Sequence, residues 1–126
     1  MIAFALQALL GAIGPQALPR EGCAAYLWNL AEPPQLVAMA EPGRLRLQLD
    51  GKPLDLSRTA ADGAVALGLA SRTVYAAGDV TVTVEMKIVE RPELAKGGLA
   101  SEATLTMQRG GGDAVVTPVG GMIGCR

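Results

Sequence analysis

Gly78-Asp79-Val80-Thr81-Val82-Thr83-Val84-Glu85-Met86-Lys87-Ile88-Val89-Glu90 is the stretch that decides the fold class. Val80, Val82, Val84, Met86 and Ile88 fall at every second position, and Thr81, Thr83, Glu85 and Lys87 lie between them. A period of two is the signature of a β-strand that buries one face. Gly78-Asp79 supplies a turn ahead of it, and Arg91-Pro92 ends it, because proline has no amide to donate to a ladder.

Working outward, Glu102 to Arg109 alternates in the same way, with Ala103, Leu105 and Met107 against Thr104, Thr106 and Gln108. Arg91 to Ser101, with its Pro92, Gly97 and Gly98, reads as a loop that lets the two strands pair antiparallel. Upstream, Leu45, Leu47 and Leu49 alternate with Arg44, Arg46 and Gln48, Asp50-Gly51 is a strong hairpin signal, and Leu54 and Leu56 continue the alternation on the return. Pro53 places that return strand at an edge, or at its own beginning. Ala61-Asp62-Gly63 reads as a turn, Ala64 to Leu69 as a short strand or one helical turn, and Arg72 to Ala76 as a strand carrying Tyr75.

The remaining segments are shorter. Cys23 to Leu30 is a strand or a short helix, ended by Glu32-Pro33-Pro34; Gln35 to Ala40 is an apolar run, and Glu41-Pro42-Gly43 a turn. Gly110-Gly111-Gly112-Asp113 turns the chain into Ala114 to Val119, and Gly120-Gly121 separates a last apolar piece, Met122 to Cys125. Six to eight short strands at this spacing predict an all-β fold, a single antiparallel sandwich or small barrel.

The 126 residues fit one domain, here residues 20–126 behind an N-terminal segment of residues 1–19. Phe4, Tyr26, Trp28 and Tyr75 are the whole aromatic inventory, so the core has to be aliphatic. Eleven basic and twelve acidic residues are scattered without a run of one sign, which argues against a nucleic-acid partner, since phosphate binding wants a basic stripe. Histidine is absent, which removes the usual general base near neutral pH and the commonest metal ligand.

Met1 to Pro19 carries no charged side chain, and Ile2 to Ile13 is nearly all apolar. About a dozen apolar residues match the hydrophobic region of a secretory leader and fall short of the roughly 20 that a spanning helix needs. The expectation is a signal peptide or an apolar N-terminal helix, with cleavage near Gly14 or Ala17 and no stable membrane insertion once it is removed. No basic residue precedes the apolar run, and Arg20-Glu21-Gly22 before Cys23 does not suit lipid attachment.

Cys23 and Cys125 then stand near the two ends of the mature chain. An even cysteine count in an oxidising compartment reads as a disulfide, Cys23–Cys125, which requires the first and last strands to be neighbours or to face one another across the core. Two cysteines without histidine cannot complete a zinc site.

Candidate chemistry is sparse. Tyr26 and Trp28 share a face if Cys23 to Leu30 is a strand, and with Tyr75 they make the candidate binding patch, the alternative being that they plug the core. The triple glycine lacks the Lys-Ser/Thr and helix of a phosphate loop. Ser57, Ser71 and Ser101 lie in no nucleophile elbow, although Lys52, Lys87 and Lys96 leave a Ser-Lys arrangement formally open. The acidic residues sit at turns or on solvent faces, and no calcium-loop pattern occurs. No catalytic residue, cofactor or metal site is expected.

Three stretches together, Cys-Ala-Ala-Tyr-Leu-Trp from Cys23, Gly-Asp-Val-Thr-Val-Thr-Val from Gly78 and the closing Gly-Gly-Met-Ile-Gly-Cys, resemble small exported bacterial β-domain proteins with no assigned activity. In general design the chain is similar to periplasmic β-domain inhibitors and chaperone-like binders. The leader-like segment and the cysteine pair predict a periplasmic or secreted location, and the leading expectation is a non-enzymatic β domain that binds an envelope or secreted protein partner by strand faces or an exposed edge; the other classes left standing are an assembly component of the envelope and a small-molecule-binding barrel.

Overall fold

The computed structural model describes residues 10–91 and 97–126, and among them every regular element is a strand. In chain order these are β1 (Leu10–Gly11), β2 (Cys23–Asn29), β3 (Leu36–Ala40), β4 (Arg44–Leu49), β5 (Lys52–Ala66), β6 (Leu69–Ala77), β7 (Val80–Arg91), β8 (Gly97–Arg109) and β9 (Val115–Cys125). From β2 to β9 each strand pairs antiparallel with the next, and β9 returns to pair with β2. The result is a closed, eight-stranded up-and-down barrel, with β1 added on the edge of β4 beyond the end of β3. Closure decides between the two expected architectures in favour of the barrel, and it gives every barrel strand two neighbours over at least part of its length.

The ladders also set the barrel's pitch. Stepping across paired residues from Thr81 to Ala76, Ser57 and Arg44, over the β3–β2 and β9–β8 ladders, the path returns to β7 at Arg91, ten residues along. A stagger of that size tilts the strands and makes an interior that side chains can fill. They do fill it. Leu27, Leu45, Leu47, Leu56, Tyr75, Val82, Val84, Leu105 and Ile123 are essentially inaccessible, and Ala25, Ala38, Ala40, Ala100 and Ala103 fit between the larger groups.

Outward positions of β4, β5 and β7 carry Arg44, Arg46, Gln48, Asp55, Thr81, Thr83, Glu85 and Lys87. Apolar inside and polar outside is the reverse of the pattern on a lipid-facing barrel.

Val80 to Arg91 is the expected strand, and it pairs with β8 as expected. β8 begins earlier than its alternation indicates, at Gly97, and β7 runs on to Arg91, so most of the expected loop between them is ladder; residues 92–96 lie outside the described residues. The reason is a β-bulge. Glu102 is an extra residue in β8 with φ +47°, and it breaks the alternation that otherwise continues through Leu99 and Ala100.

Ala61-Asp62-Gly63 is likewise not a turn but lies inside β5, with Gly63 in a bulge at φ +86°. The turn is Leu67-Gly68, a two-residue hairpin with positive φ at both positions, like Asp50-Gly51. Ser57 to Val65 is exposed throughout, so no face of β5 is buried there and its sequence has no alternation to read. The last two expected pieces are one strand, β9, which passes through Gly120-Gly121. Cys23 to Asn29 resolves as a strand.

The expected N-terminal helix falls partly on residues 1–9, outside the described residues. Residues 10–19 contain no helix: after β1 they form an extended strap across the outside of β2 and β3.

Cys23 and Cys125 form the expected disulfide, and the first and last barrel strands are neighbours. The two cysteines are direct partners in the β2–β9 ladder, with Cα atoms 4.0 Å apart, and Arg126 N–H donates to the Gly22 carbonyl at 2.9 Å just beyond them. This ladder is the seam at which the barrel closes. Gly121 lies in the same seam, where a Cβ would collide with the backbone carbonyl of Tyr26, so only glycine lets the strands approach so closely.

Candidate binding surface

Alternation along β2 sends Ala25 and Leu27 into the barrel and Ala24, Tyr26 and Trp28 outward. On β3 an extra residue at Val37 shifts the alternation, so Leu36 and Met39 point outward beside them. These five side chains, joined by Ile13 of the strap, make a small apolar cluster outside the barrel.

One backbone bond and one side-chain bond hold the strap on this cluster: Ile13 N–H donates to the Leu36 carbonyl at 2.9 Å, and the Tyr26 hydroxyl donates to the Ala17 carbonyl at 2.8 Å. Tyr26 is thereby covered, 9% exposed, and burial, helped by the negative charge of Glu41, pushes its hydroxyl pKa up. Its role is to clamp the strap.

Trp28 is only half-buried. It floors an apolar recess of about 420 Å³ whose walls are Ala12, Gly14 and Pro15 of the strap and Gln35 and Leu36 of the β2–β3 connection. The connection from Leu30 to Gln35 is exposed and is held in shape by Asn29, whose Oδ1 accepts from the Gln35 N–H at 2.9 Å and the Ala31 N–H at 3.3 Å. Leu30, two residues beyond Trp28, is 69% exposed.

A second groove, about 530 Å³, runs between the strap and β4–β5 and is lined by Ile13, Gln16, Arg46, Gln48, Pro53 and Asp55. Its charges are matched internally. Arg46 Nε donates to Asp55 Oδ1 at 3.0 Å and Arg46 Nη1 to Gln16 Oε1 at 3.0 Å, while Arg44 Nη2 meets Glu41 Oε2 at 2.7 Å. The hydrogen bond from Arg46 holds the Asp55 carboxyl below the usual carboxylate range, and the one to Glu41 raises Arg44. Arg44 and Glu41 line an adjoining recess beside residues 16–21, and with Arg46 paired the groove itself offers hydrogen bonds and little net field for an anion.

Tyr75, grouped with Tyr26 and Trp28 in the candidate patch, does not belong there. It lies on β6 inside the barrel, 1% exposed, and its hydroxyl donates to the Glu41 carbonyl in the β3–β4 turn at 2.7 Å. Burial pushes its pKa up to about 12. The patch therefore reduces to Trp28 and the surface around it. The strap residues that complete the recess were not legible as such, because an uncharged apolar N-terminus reads as a leader.

Of the Ser-Lys candidates, Lys96 lies outside the described residues, and no contact between a serine hydroxyl and a lysine ammonium occurs among the described residues. Ser101 Oγ donates to the backbone carbonyl of Lys87 at 3.4 Å, and the Lys87 ammonium faces Glu102 at 3.8 Å. Asp50 and Asp62 face Arg109 and Arg72 at 3.1 and 3.6 Å. Among the described residues no three His, Cys, Asp or Glu side chains group to hold a metal ion.

No protein-family model, curated protein or solved structure matches the chain. The site is therefore read from its own geometry.

Proposed function

We propose that this chain is an exported, disulfide-closed β-barrel that keeps residues 10–19 as its strap, any leader cleavage falling ahead of Leu10, and that acts by binding a protein on its outer surface, without catalysis. The observation that carries the reading is the recess floored by Trp28, a partly buried aromatic two residues before the exposed Leu30, on a barrel whose interior is already filled by its own side chains. Buried aromatic anchors and the apolar pockets that receive them dominate protein interfaces. A partner's apolar side chain fits the recess, and the polar groove beside the strap supplies a rim of hydrogen-bonding groups. The filled interior counts against the small-molecule barrel, since ligands in barrels of this size occupy the lumen. The Cys23–Cys125 disulfide is compatible with an oxidising compartment.

A photo-crosslinking amino acid at Leu30, in the full chain expressed in an exporting bacterial cell, tests the binding. One discrete crosslinked partner is expected, lost when Trp28→Ser is added to a chain whose circular dichroism is unchanged. Absence of a discrete product, or a product indifferent to Trp28→Ser, refutes the reading. Mass spectrometry of the recovered chain tests export separately: an intact N-terminus with two free thiols rules it out.

A further inference from the structure

We infer that the middle of the strap, residues 12–18, is a lid that opens and shuts while the barrel stays closed, and that the Trp28 recess exists only when the lid is shut. This rests on the reading of that recess as a binding site and adds its regulation. Both ends of the lid are fixed. Ahead of it, Leu10 packs against the core cluster, and Leu10 and Gly11 pair with Leu49 and Gln48 of β4. Behind it Pro19 is buried, and the Gly22 carbonyl accepts from Arg126 N–H at 2.9 Å beside the Cys23–Cys125 disulfide. Movement between these points leaves the seam and the barrel ladders intact.

The middle is held lightly. Among the described residues its hydrogen bonds to the barrel are Ile13 N–H to the Leu36 carbonyl at 2.9 Å, the Tyr26 hydroxyl to the Ala17 carbonyl at 2.8 Å and Arg46 Nη1 to Gln16 Oε1 at 3.0 Å. Its one side chain in the outer apolar cluster is Ile13. Ala12, Pro15, Ala17 and Leu18 are exposed. Open space runs along its whole length, as the recess and groove of about 420 and 530 Å³ and the adjoining recess of about 370 Å³ beside residues 16–21. A segment with so few buried apolar contacts opens at a lower free energy than a barrel ladder does. Gln16 Nε2 donates to the Ile13 carbonyl at 3.1 Å, so residues 13–16 form a turn that moves as one piece, with Gly14 supplying the positive φ of +76°.

Ala12, Gly14 and Pro15 are walls of the recess. Lifting them leaves Trp28 on an open outer face without a pocket. A partner's side chain seated in the recess touches lid and barrel together, so it binds the shut form alone and holds the lid down. The apparent affinity is the intrinsic one scaled by the fraction of chains with the lid shut. Loosening the lid therefore weakens binding without altering any group on the recess floor.

The test needs no partner, so its failure is distinct from failure of the Leu30 crosslink. Hydrogen exchange of the purified, disulfide-bonded full chain, followed by NMR, reports the lid through the Ile13 amide, and acrylamide quenching reports the recess through Trp28, the only tryptophan. The Ile13 amide is expected to be protected, yet to exchange about tenfold or more faster than the slowest amides of the β2–β9 ladder, at a rate indifferent to low urea. Tyr26→Phe removes the bond to Ala17 and keeps the ring, and is expected to speed Ile13 exchange about fivefold while leaving the ladder unchanged. Ile13→Ala/Tyr26→Phe is expected to leave the amide at position 13 unprotected and to raise Trp28 quenching about twofold, with the circular dichroism of the barrel unchanged. An Ile13 amide in the natural chain that exchanges at the ladder's rate, or with no protection at all, overturns the lid. So does a Tyr26→Phe chain in which lid and ladder speed up equally, or a doubly substituted chain that keeps its protection. Loss of protection with Trp28 as shielded as before overturns the link between lid and recess.

Discussion

Replacing both cysteines with alanine, Cys23→Ala/Cys125→Ala, tests how much of this small barrel's stability resides in its covalent seam. The bond joins residues 102 apart in sequence, so it constrains nearly the whole of the described barrel in the unfolded state. The loop-closure estimate for a loop of this length is about 4.7 kcal/mol. Removing it leaves the seven paired positions of the β2–β9 ladder in place, and the half-buried cysteines lose little contact on becoming alanine. The folded state is thus nearly unchanged and the unfolded chain gains freedom, for an expected loss of roughly 3–5 kcal/mol. That is a large fraction of the total for a domain of this size. Urea unfolding at neutral pH, without reductant, reads the difference. The open unfolded chain is also more expanded than the cross-linked one, so the variant should show the larger denaturant slope. A double variant within about 1 kcal/mol of the natural chain, with the same slope, would refute the view that the seam acts through the unfolded state.

Three further outcomes follow from particular contacts. Tyr75 has its pKa raised to about 12 by burial, against an unfolded value near 10, so both states are protonated below pH 10 and only the unfolded state ionises between pH 10 and 12. Stability should therefore fall by roughly 2–3 kcal/mol across that window, and Tyr75→Phe should remove that part of the alkaline slope in denaturation curves taken from pH 9 to 12. Leu67 holds φ +55° in the β5–β6 turn while its side chain packs at Gly98, so Leu67→Ala loses the contact and keeps the backbone strain, whereas Leu67→Gly relieves it. The glycine variant should be the more stable of the two by about 1 kcal/mol, an order opposite to that expected where φ is negative. Gly121→Ala drives a methyl into the Tyr26 carbonyl and should cost about 3 kcal/mol, while Gly111→Ala, with open space around it, should stay within about 0.5 kcal/mol in the same assay.

Much of the fold was legible before any coordinates, and the legible parts share one property. Arg44–Ser57, Val80–Glu90 and Glu102–Arg109 each bury one face, so hydrophobic alternation marks them directly, and Asp50-Gly51 marks its own turn through backbone preference. Where a strand buries neither face, as from Ser57 to Val65, alternation disappears and Gly63 reads as a turn although it is a bulge. Where a bulge inserts a residue, as at Glu102, alternation changes phase and a continuous strand looks like a loop followed by a shorter strand. Of the candidate site, Trp28 was visible as one of few aromatics, but nothing in the order of residues could separate it from Tyr75. One faces out from β2 and the other into the barrel from β6, and that relation exists only after closure.

By itself, then, the sequence determined that the fold is all-β, the antiparallel pairing of β4 with β5 and of β7 with β8, the aliphatic core and the pairing of its only two cysteines, because each depends on local periodicity, on turn chemistry or on there being a single partner. Tertiary structure alone decided that the sheet closes as a barrel, that residues 10–19 strap the outside of β2 and β3, that Tyr26 is covered while Trp28 is only partly buried, and that β4 pairs with no more of β5 than Lys52 to Ser57. Each of these rests on contacts between segments far apart in the chain, where burial and register are set by what the rest of the molecule brings alongside.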